Sequence, residues 1–164
     1  MSIPRYRTIL YASDLGDNMR PVFRHAVSLA RQYHARIVML HVVEPLGTTG
    51  EWVLNAYLPG KTRELEKKAL KKVLKQMRRR LEKFYQEELD AADQEARLVS
   101  DIVVVSGEPA EEILRQAAKR QADLIVVGTH TGVGTGLGLL GSTARKLTQY
   151  ATHPLLVVPV AREQ

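Results

Sequence analysis

The sequence predicts an α/β fold with a doubly wound, five-stranded parallel sheet and helices on both faces. Two observations lead to this prediction. Five short apolar segments suited to buried strands alternate along the chain with segments that have helical periodicity, and the segment 123–128 is apolar almost throughout. Continuous apolar strands are typical of sheets covered on both faces, and strands separated by helices pair in parallel through crossover connections.

The N-terminal part of the chain contains two predicted strands and one helix. Residues 8–13, TILYAS, are expected to form a buried strand. Asp17 or Asn18 can cap the helix that follows, which tolerates Pro21 in its first turn. Residues 36–43, RIVMLHVV, form the second strand. The apolar face of the helix consists of residues at helical spacing, namely Val22, Ala26, Leu29, Ala30 and Tyr33.

The middle of the chain carries a long basic helix. Residues 46–61 contain three glycines and are predicted to be irregular, and a helix is predicted over 62–89. Its apolar stripe, with Lys and Arg facing outward, is Leu65, Leu70, Val73, Leu74, Met77, Leu81 and Phe84. Residues 61–83 contain eleven Lys or Arg against three Glu, a net charge of +8, whereas the whole chain has +6. Such a run is typical of a solvated face, so specific nucleic-acid binding is not expected, and any binding should collapse with salt.

The C-terminal half continues the alternation. A third strand is predicted within 96–107, and a helix over 109–120 begins with a proline in its first turn. The fourth strand is 123–128, and a glycine-rich loop separates it from a helix over 142–152. A fifth strand is predicted over 154–160, bracketed by prolines.

The glycine-rich loop holds six glycines in fourteen residues: Gly128, Gly132, Gly134, Gly136, Gly138 and Gly141. It is not a P-loop, because Ser142 stands where that motif requires Lys. It is not a dinucleotide-binding fingerprint either, because that motif follows its strand directly and has an acidic residue about twenty positions later. The backbone N–H groups and hydroxyls that open the next helix suit an anion, whereas a flexible solvent-exposed loop is the alternative.

Segments spread over nearly the whole chain resemble the universal stress protein family. They read ILYASDL, VMLHVVE, SGEPAEEIL and ADLIVVGTH, followed by GLLGSTARKL and HPLLVVP. Nucleotide-binding members of that family carry G-x-x-G-x9-G-[ST] after the fourth strand. Gly128, Gly141 and Ser142 match this motif, while Thr131 stands at its second glycine and Gly132 follows one place later.

The resemblance implies one domain over residues 1–164 with the strand order 3-2-1-4-5. The chain would then reverse between the first and fourth strands, which brings Ala12 and Asp14 beside Gly128. Asp14 suits ribose hydroxyls or a phosphate-bound metal ion, or else it caps the following helix. Val42 corresponds to the residue whose backbone pairs with the adenine edge in nucleotide-binding relatives. The residues expected to bind nucleotide are Ala12, Asp14, Val42, Gly128, Thr129, His130, Thr131, Gly132, Gly141, Ser142 and Thr143.

Two classes of function follow from this resemblance. The first is a regulatory stress-response module that binds ATP, optionally with Mg²⁺, and hydrolyses it slowly at most. The second is an interaction protein of the same fold that binds no nucleotide. Gly141 and Ser142 favour the first class, with the glycines letting the backbone approach the nucleotide, and Thr131 favours the second. No catalytic residue is identified, since Ser142 lacks the G-x-S-x-G context of a nucleophile.

The remaining histidines, compartment and assembly complete the expectations. His25, His34, His41 and His153 show no metal-ligand spacing, so each is expected to be structural. The chain has no cysteine, no apolar run long enough for a membrane span and no signal-peptide pattern, which favours a cytoplasmic protein. The fifth strand would lie at a sheet edge, and relatives in the family dimerise through this strand. A homodimer is therefore expected, with Pro159 limiting the intermolecular ladder.

Overall fold

The structure is a computed structural model that describes residues 3–16, 18–45, 47, 50–51, 56–57, 62–129 and 140–160. Its strands are β1 (Thr8–Ala12), β2 (Arg36–Val43), β3 (Val99–Ser106), β4 (Leu124–Gly128) and β5 (Leu155–Val158). Its helices with continuous bounds are α1 (Met19–Tyr33), α2 (Thr62–Glu88), α3 (Ala91–Glu95), α4 (Pro109–Lys119) and α5 (Ser142–Tyr150). No helix of the described residues is long and apolar enough to span a membrane.

The five strands form one parallel sheet in the order β3-β2-β1-β4-β5, which confirms the predicted class and strand order. The central strand, β1, pairs with β2 from Thr8↔Arg36 onward and with β4 from Ile9↔Leu124 onward. The direction of chain winding reverses between β1 and β4. In doubly wound sheets the carboxyl ends of the strands at such a reversal leave a crevice for ligands.

Alternation along the strands divides the core between the two faces of the sheet. Ile9 and Tyr11 face α1 and α2, whereas Leu10, between them, faces α4 and α5. On the first face the Tyr11 and Phe23 rings lie 5.1 Å apart between centroids, and Phe23 is 5.3 Å from Phe84. Full burial of such a side chain stabilises the fold by roughly 1.5–3 kcal/mol. The contacts among these three rings therefore contribute strongly to the packing of α1 and α2 on the sheet.

The apolar stripe predicted on α2 is buried only in its C-terminal half, so the prediction was wrong for the N-terminal half. Leu81 is fully buried, but Leu65, Leu70 and Val73 keep 46%, 38% and 37% of their surface exposed. The helix has 27 residues, about 40 Å at the α-helical rise, whereas the eight residues of β3 span about 26 Å. The N-terminal turns of α2 therefore extend past the carboxyl ends of the strands beneath them.

Smaller differences from the predictions have local causes. Tyr33, assigned to the apolar face of α1, is 44% exposed and packs edge-to-face on Tyr6 at 5.0 Å. The N-cap of α1 is Asn18, without a side-chain capping bond, and Asp17 lies outside the described residues. Helix α3 was missed, although Asp90 signals its start by accepting a hydrogen bond from the Asp93 N–H at 2.9 Å.

Part of the segment 46–61, predicted to be irregular, is helical. Residues 50–51 and 56–57 are helical, and most of the rest of the segment lies outside the described residues. The Gly47 carbonyl accepts hydrogen bonds from the N–H groups of Gly50 and Glu51, at 2.8 and 3.1 Å. A glycine that precedes a turn can begin it, because its backbone adopts any of the required conformations.

Candidate functional site

A cleft of about 530 Å³ opens at the carboxyl ends of the strands, where β1 and β4 meet. This volume lies within the range of about 300–1,000 Å³ that is usual for small-molecule sites. Six of the residues predicted to bind a ligand line it: Ala12, Asp14, Val42, Gly128, Ser142 and Thr143. The fold thus brings together residues from the ends of three strands and from the start of α5.

The other predicted site residues are placed differently. Thr129 and Gly141 lie beside the cleft and join structural elements, as shown below. His130, Thr131 and Gly132 lie outside the described residues, as do Gly134, Gly136 and Gly138. Thr131, where the loop departs from the family motif, is among these residues, so its role stays a sequence prediction.

Asp14 stands in a tight turn directly after β1. Its Oδ1 accepts a hydrogen bond from the Gly16 N–H at 2.9 Å, and the Ser13 hydroxyl accepts one from the Leu15 N–H at 3.1 Å. Among the described residues no group donates to Asp14 Oδ2. Helix α1 begins only at Met19, so Asp14 orders the turn rather than capping the helix, and that alternative was wrong. One carboxylate oxygen remains available at the wall of the cleft.

His41 also lines the cleft and was missed as a site residue. Its Nδ1 lies 2.7 Å from the Ser13 carbonyl oxygen. A carbonyl oxygen only accepts, so Nδ1 carries the proton and donates. His41 therefore has the structural role that was expected of it, and this role places its side chain at the wall of the cleft. The position of His41, directly before Val42 at a strand end, was the signal that could have found it.

Thr129 ties β4 to β5 and to the start of α5. Its N–H donates to the Val158 carbonyl at 3.0 Å, and its Oγ1 accepts from the Val160 N–H at 3.0 Å. The Thr129 carbonyl accepts from the Gly141 N–H at 2.8 Å. The Gly141 N–H, expected to face an anion, is therefore already used within the protein. The donors that helix geometry leaves for a ligand belong to Ser142, Thr143 and Ala144.

Packing alone accounts for the glycine at position 128. A Cβ built there would lie 2.8 Å from the Val160 Cγ2 and 3.3 Å from the Met19 Sδ. Real Cβ atoms do not approach other atoms so closely, so any side chain at this position must displace the core. Contacts with Val160 and α1 thus require glycine at position 128 without any ligand, and the role of Gly128 in admitting a ligand to the cleft that it lines stays a prediction.

The charges around the cleft are mainly acidic. Asp14 and Glu44 line it, whereas no Lys or Arg does so within the described part of the chain. Helix α5, whose first turn donates N–H groups to the cleft, carries positive potential at that end. The described residues contain no group of three or more His, Asp or Glu side chains that could hold a metal ion by themselves. A highly anionic ligand would therefore depend on N–H groups, hydroxyls and an accompanying cation.

An ion pair fixes the two helices that border the cleft. Lys146 Nζ on α5 lies 2.8 Å from Glu108 Oε1 at the start of α4. Burial acts to raise the pKa of Glu108, but hydrogen bonds from Lys146 and from the Glu111 N–H outweigh it, and that pKa is lowered. The same hydrogen bond raises the pKa of Lys146. Both groups are thus held charged, and the ion pair joins the start of α4 to the middle of α5.

The sheet, the reversal and the cleft define a doubly wound α/β protein with a cleft at its switch point. The model of the universal stress protein family matches residues 5–159, and the chain belongs to this family. It is 30% identical over 164 residues to "Universal stress protein MJ0531" of Methanocaldococcus jannaschii, covering 97% of this chain and 85% of that one. It is also 30% identical over 155 residues to "Universal stress protein YxiE" of Bacillus subtilis, covering 93% and 99%.

Solved structures share the fold. The structure of protein MJ0577 from M. jannaschii superposes with a TM-score of 0.72 at 21% identity, covering 96% of this chain and 99% of that one. A universal stress protein in complex with cAMP superposes with a TM-score of 0.55 at 20% identity, covering 96% and 99%. At these identities the likeness establishes the architecture and not the ligand of the present chain.

Proposed function

We propose that this protein is a regulatory stress-response module that binds an adenine nucleotide, ATP, in the cleft between β1 and β4. One observation carries the proposal: a carboxylate after β1 and the uncapped N-terminus of α5 border the same cleft at the switch point. The first suits ribose hydroxyls, and the second suits phosphates. A relative of the same fold was solved in complex with cAMP, which supports a nucleotide as the class of ligand.

The walls of the cleft fit the remaining part of such a ligand. Val42, Ile113, Val73 and Met77 supply apolar surface from β2, α4 and α2. A flat, weakly polar base packs well on such surface, whereas a triphosphate does not. The acidic character of the cleft favours Mg²⁺ with the phosphates, because the described lining offers no cationic side chain to neutralise them. The residues present therefore fit Mg-ATP.

Regulation rather than rapid catalysis is the better assignment for this site. Ser142 and Thr143 offer hydroxyls at a helix start, and no carboxylate or imidazole of the described residues is hydrogen-bonded to either hydroxyl. Asp14 orders its turn through Gly16, and the Nδ1 proton of His41 is engaged by Ser13. These residues can bind, orient and neutralise a ligand. We expect at most slow hydrolysis, with occupancy of the cleft as the signal.

Calorimetry with ATP and Mg²⁺ tests the proposal. Asp14→Ala should weaken binding about tenfold or more, because hydrogen bonds to charged groups contribute roughly 1.5–3 kcal/mol. Glu95→Ala, which removes an exposed carboxylate on α3, is the matched control and should bind as the unmodified protein does. The nucleotide content of protein purified from cells and then denatured identifies the bound species.

A second pair of variants probes the phosphate end. Gly141→Val should abolish binding with the fold intact, because a side chain there crowds the approach to the first N–H groups of α5. Gly136→Ala, at a position outside the described residues, should spare most of the binding. Circular dichroism confirms that each variant folds. If the unmodified protein takes up no adenine nucleotide in the presence of Mg²⁺, this function is wrong.

That last outcome would favour an interaction protein of the same fold that binds no nucleotide. One observation supports this alternative: contacts with Val160 and Met19 already require glycine at position 128, without any ligand. The motif match at that position is therefore weaker evidence for nucleotide than it is from sequence. The same calorimetry distinguishes the two functions, since only the first predicts saturable uptake of ATP.

We also propose a homodimer formed through the free edge of β5. The hydrogen bonds of Pro154 and Val158 to Ile125 and Thr129 show that even-numbered residues of β5 face β4. Odd-numbered residues therefore face outward, and Val157 presents its N–H at the centre of the edge. Antiparallel pairing of two such edges buries both, and Pro159 ends the ladder because it has no N–H.

Val157→Pro provides a test that leaves the bonds between β4 and β5 in place. Proline is accepted at an edge position whose N–H points away from the sheet, yet it removes the donor that a second chain would use. Light scattering at micromolar concentration should show a dimer for the unmodified protein and for Val157→Thr, and a monomer for Val157→Pro. A dimer that persists in Val157→Pro would place the interface elsewhere.

A further inference from the structure

Strand β2 continues past the end of β1, and no described strand pairs with its β1 side there. The Arg36 N–H donates to the Arg7 carbonyl at 2.8 Å, and the Leu40 carbonyl accepts from the Ser13 N–H at 2.8 Å. Backbone groups of alternate residues point to the same side of a strand, so even-numbered residues of β2 face β1. Val42 is the next even-numbered residue, and the pairing of β1 with β2 ends at Leu40.

The carbonyl that would continue the ladder accepts a hydrogen bond from a histidine side chain. In a regular parallel pair the next hydrogen bond would run from the Val42 N–H to the Ser13 carbonyl. The structure instead forms the bond from His41 Nδ1 to that carbonyl, at 2.7 Å, and the Val42 N–H forms no bond to it. The N–H and the carbonyl of Val42 therefore point toward the cleft that this residue lines.

We propose that His41 is a positioning residue that keeps the Val42 backbone free to bind the edge of a nucleobase. The inference rests on the proposed function and on the base contact that the family resemblance implies for the Val42 backbone, and it adds the role of His41. Adenine offers a ring nitrogen that accepts and an adjacent amino group that donates, which complements an N–H and a carbonyl of one strand. Without the imidazole, the Val42 N–H closes on the Ser13 carbonyl, and the base must break that bond before it binds.

Amide hydrogen exchange tests this role without any nucleotide. In the ligand-free protein the Val42 N–H should exchange rapidly. In His41→Leu it should exchange at least tenfold more slowly, because it gains the Ser13 carbonyl as a partner. His41→Asn, whose side-chain amide can donate to the same carbonyl, should keep the rapid exchange. His25→Leu, which removes an exposed histidine of α1, is the matched control and should leave Val42 unchanged.

Protection of the Val42 N–H in the unmodified protein would overturn the proposal. Unchanged exchange in a folded His41→Leu protein would overturn it as well. Circular dichroism verifies folding, and His41→Ala repeats the measurement if the leucine variant does not fold. None of these results depends on ATP binding, so a failure of the proposed function would remain distinguishable from a failure of the histidine's role.

Base selectivity provides the second readout. His41→Leu should lose at least tenfold in ATP affinity while its affinity for inorganic tripolyphosphate stays the same, because only the base contacts the Val42 backbone. The preference for ATP over inosine triphosphate, which lacks the amino group, should fall in the same variant and return in His41→Asn. Equal losses for ATP and tripolyphosphate would show a general structural role and overturn the proposal.

Discussion

Helices α1 and α2 cover the same face of the sheet, yet they are buried to very different extents. Every apolar residue on the inward side of α1 from Met19 to Ala30 is buried except Leu29, which is partly buried. On α2, Leu81 is fully buried, whereas Leu70 and Val73, on earlier turns, are more than a third exposed. Helical periodicity thus predicts which side of a helix faces inward, but the length of the strands beneath decides how much of that side is covered.

Among the described residues, the ion pairs and ring contacts between the two helices all involve the C-terminal half of α2. Arg20 and Arg24 of α1 both form ion pairs with Glu88, whose side chain is 4% exposed. The Arg20 guanidinium also lies 5.9 Å from the centre of the Phe84 ring. The two halves of α2 therefore differ in their contacts with α1, and substitutions in each half can test this difference.

The largest expected effect separates the two halves of α2. Leu81→Ala should lower the free energy of unfolding by about 2–5 kcal/mol, because it leaves a cavity in the core. Leu70→Ala removes the same atoms from a side chain that is 38% exposed, and should cost less than about 1 kcal/mol. Urea denaturation of both variants measures the difference. Equal losses of unfolding free energy in the two variants would mean that the start of α2 packs on the protein as closely as its end does.

Next in size is the close packing of α1 against the end of β4. Gly128→Ala should destabilise the fold by about 1–3 kcal/mol, since its Cβ would meet Val160 Cγ2 at 2.8 Å. Adding Val160→Ala to the same chain should relieve part of that loss. A double-mutant cycle by thermal or urea unfolding gives the coupling, and simple additivity of the two changes would contradict the contact.

The ion pairs between the helices should contribute less. Glu88→Gln leaves Arg24 without a charged partner among the described residues and leaves Arg20 with only the half-exposed Glu87. We expect a loss of about 1 kcal/mol, since both arginines are themselves exposed. Glu87→Gln is the matched control, because that carboxylate is 44% exposed and only 3.4 Å from Arg20 at best. Denaturation at low and high salt should show the Glu88 effect shrinking and the Glu87 effect near zero throughout.

Helices α4 and α5, on the opposite face of the sheet, are joined by an ion pair whose contribution to stability depends on pH. The folded protein holds the pKa of Glu108 below its ordinary value of 4.5, so this pair stabilises the fold above that pH and loses its effect as pH falls through the lowered pKa. Lys146 has a raised pKa, so its part is lost only above about pH 10.5. Stability curves of the unmodified protein and Glu108→Gln should differ at neutral pH and converge in acid. A constant gap down to pH 2 would rule out this ion pair as the cause.

The smallest effect concerns the outward side of α2. Lys68, Lys72, Lys75 and Arg79 follow one another at spacings of three or four residues, all are exposed, and none pairs with a described carboxylate. Like charges at these spacings repel, so Lys72→Gln should raise stability by a few tenths of a kcal/mol.

Binding of this helix to nucleic acid should be weak and should vanish as salt rises. Sequence-selective binding at high salt would contradict that expectation.

The fold was predictable because its evidence is local. Each strand and helix of the sheet has its own apolar period, and proline or glycine marks most boundaries, so only α3 and the short helical stretches near residue 50 were missed. The strand order came from the family resemblance, because no period records which strands are neighbours. The helix that follows β4 also ends where expected within two residues, at Tyr150, because Pro154 comes soon after.

The site was only partly predictable because its decisive contacts join distant parts of the chain. Glycine at position 128 is explained by Val160, thirty-two positions later, and the donor role of His41 depends on where β1 stops. Asp14 was assigned correctly to the cleft, but its bond to Gly16 could not be told from helix capping in sequence. The use of the Gly141 N–H by Thr129 has no sequence signal at all.

The overhang of α2 beyond the sheet has a mechanical consequence. Val73 and Met77 line the cleft from turns that stand at or beyond the strand ends, so a molecule seated there supplies packing that the protein itself does not. By mass action, filling the cleft stabilises those turns selectively. The exposed lysines of those turns would then lie on a part of the helix that packs on the bound molecule.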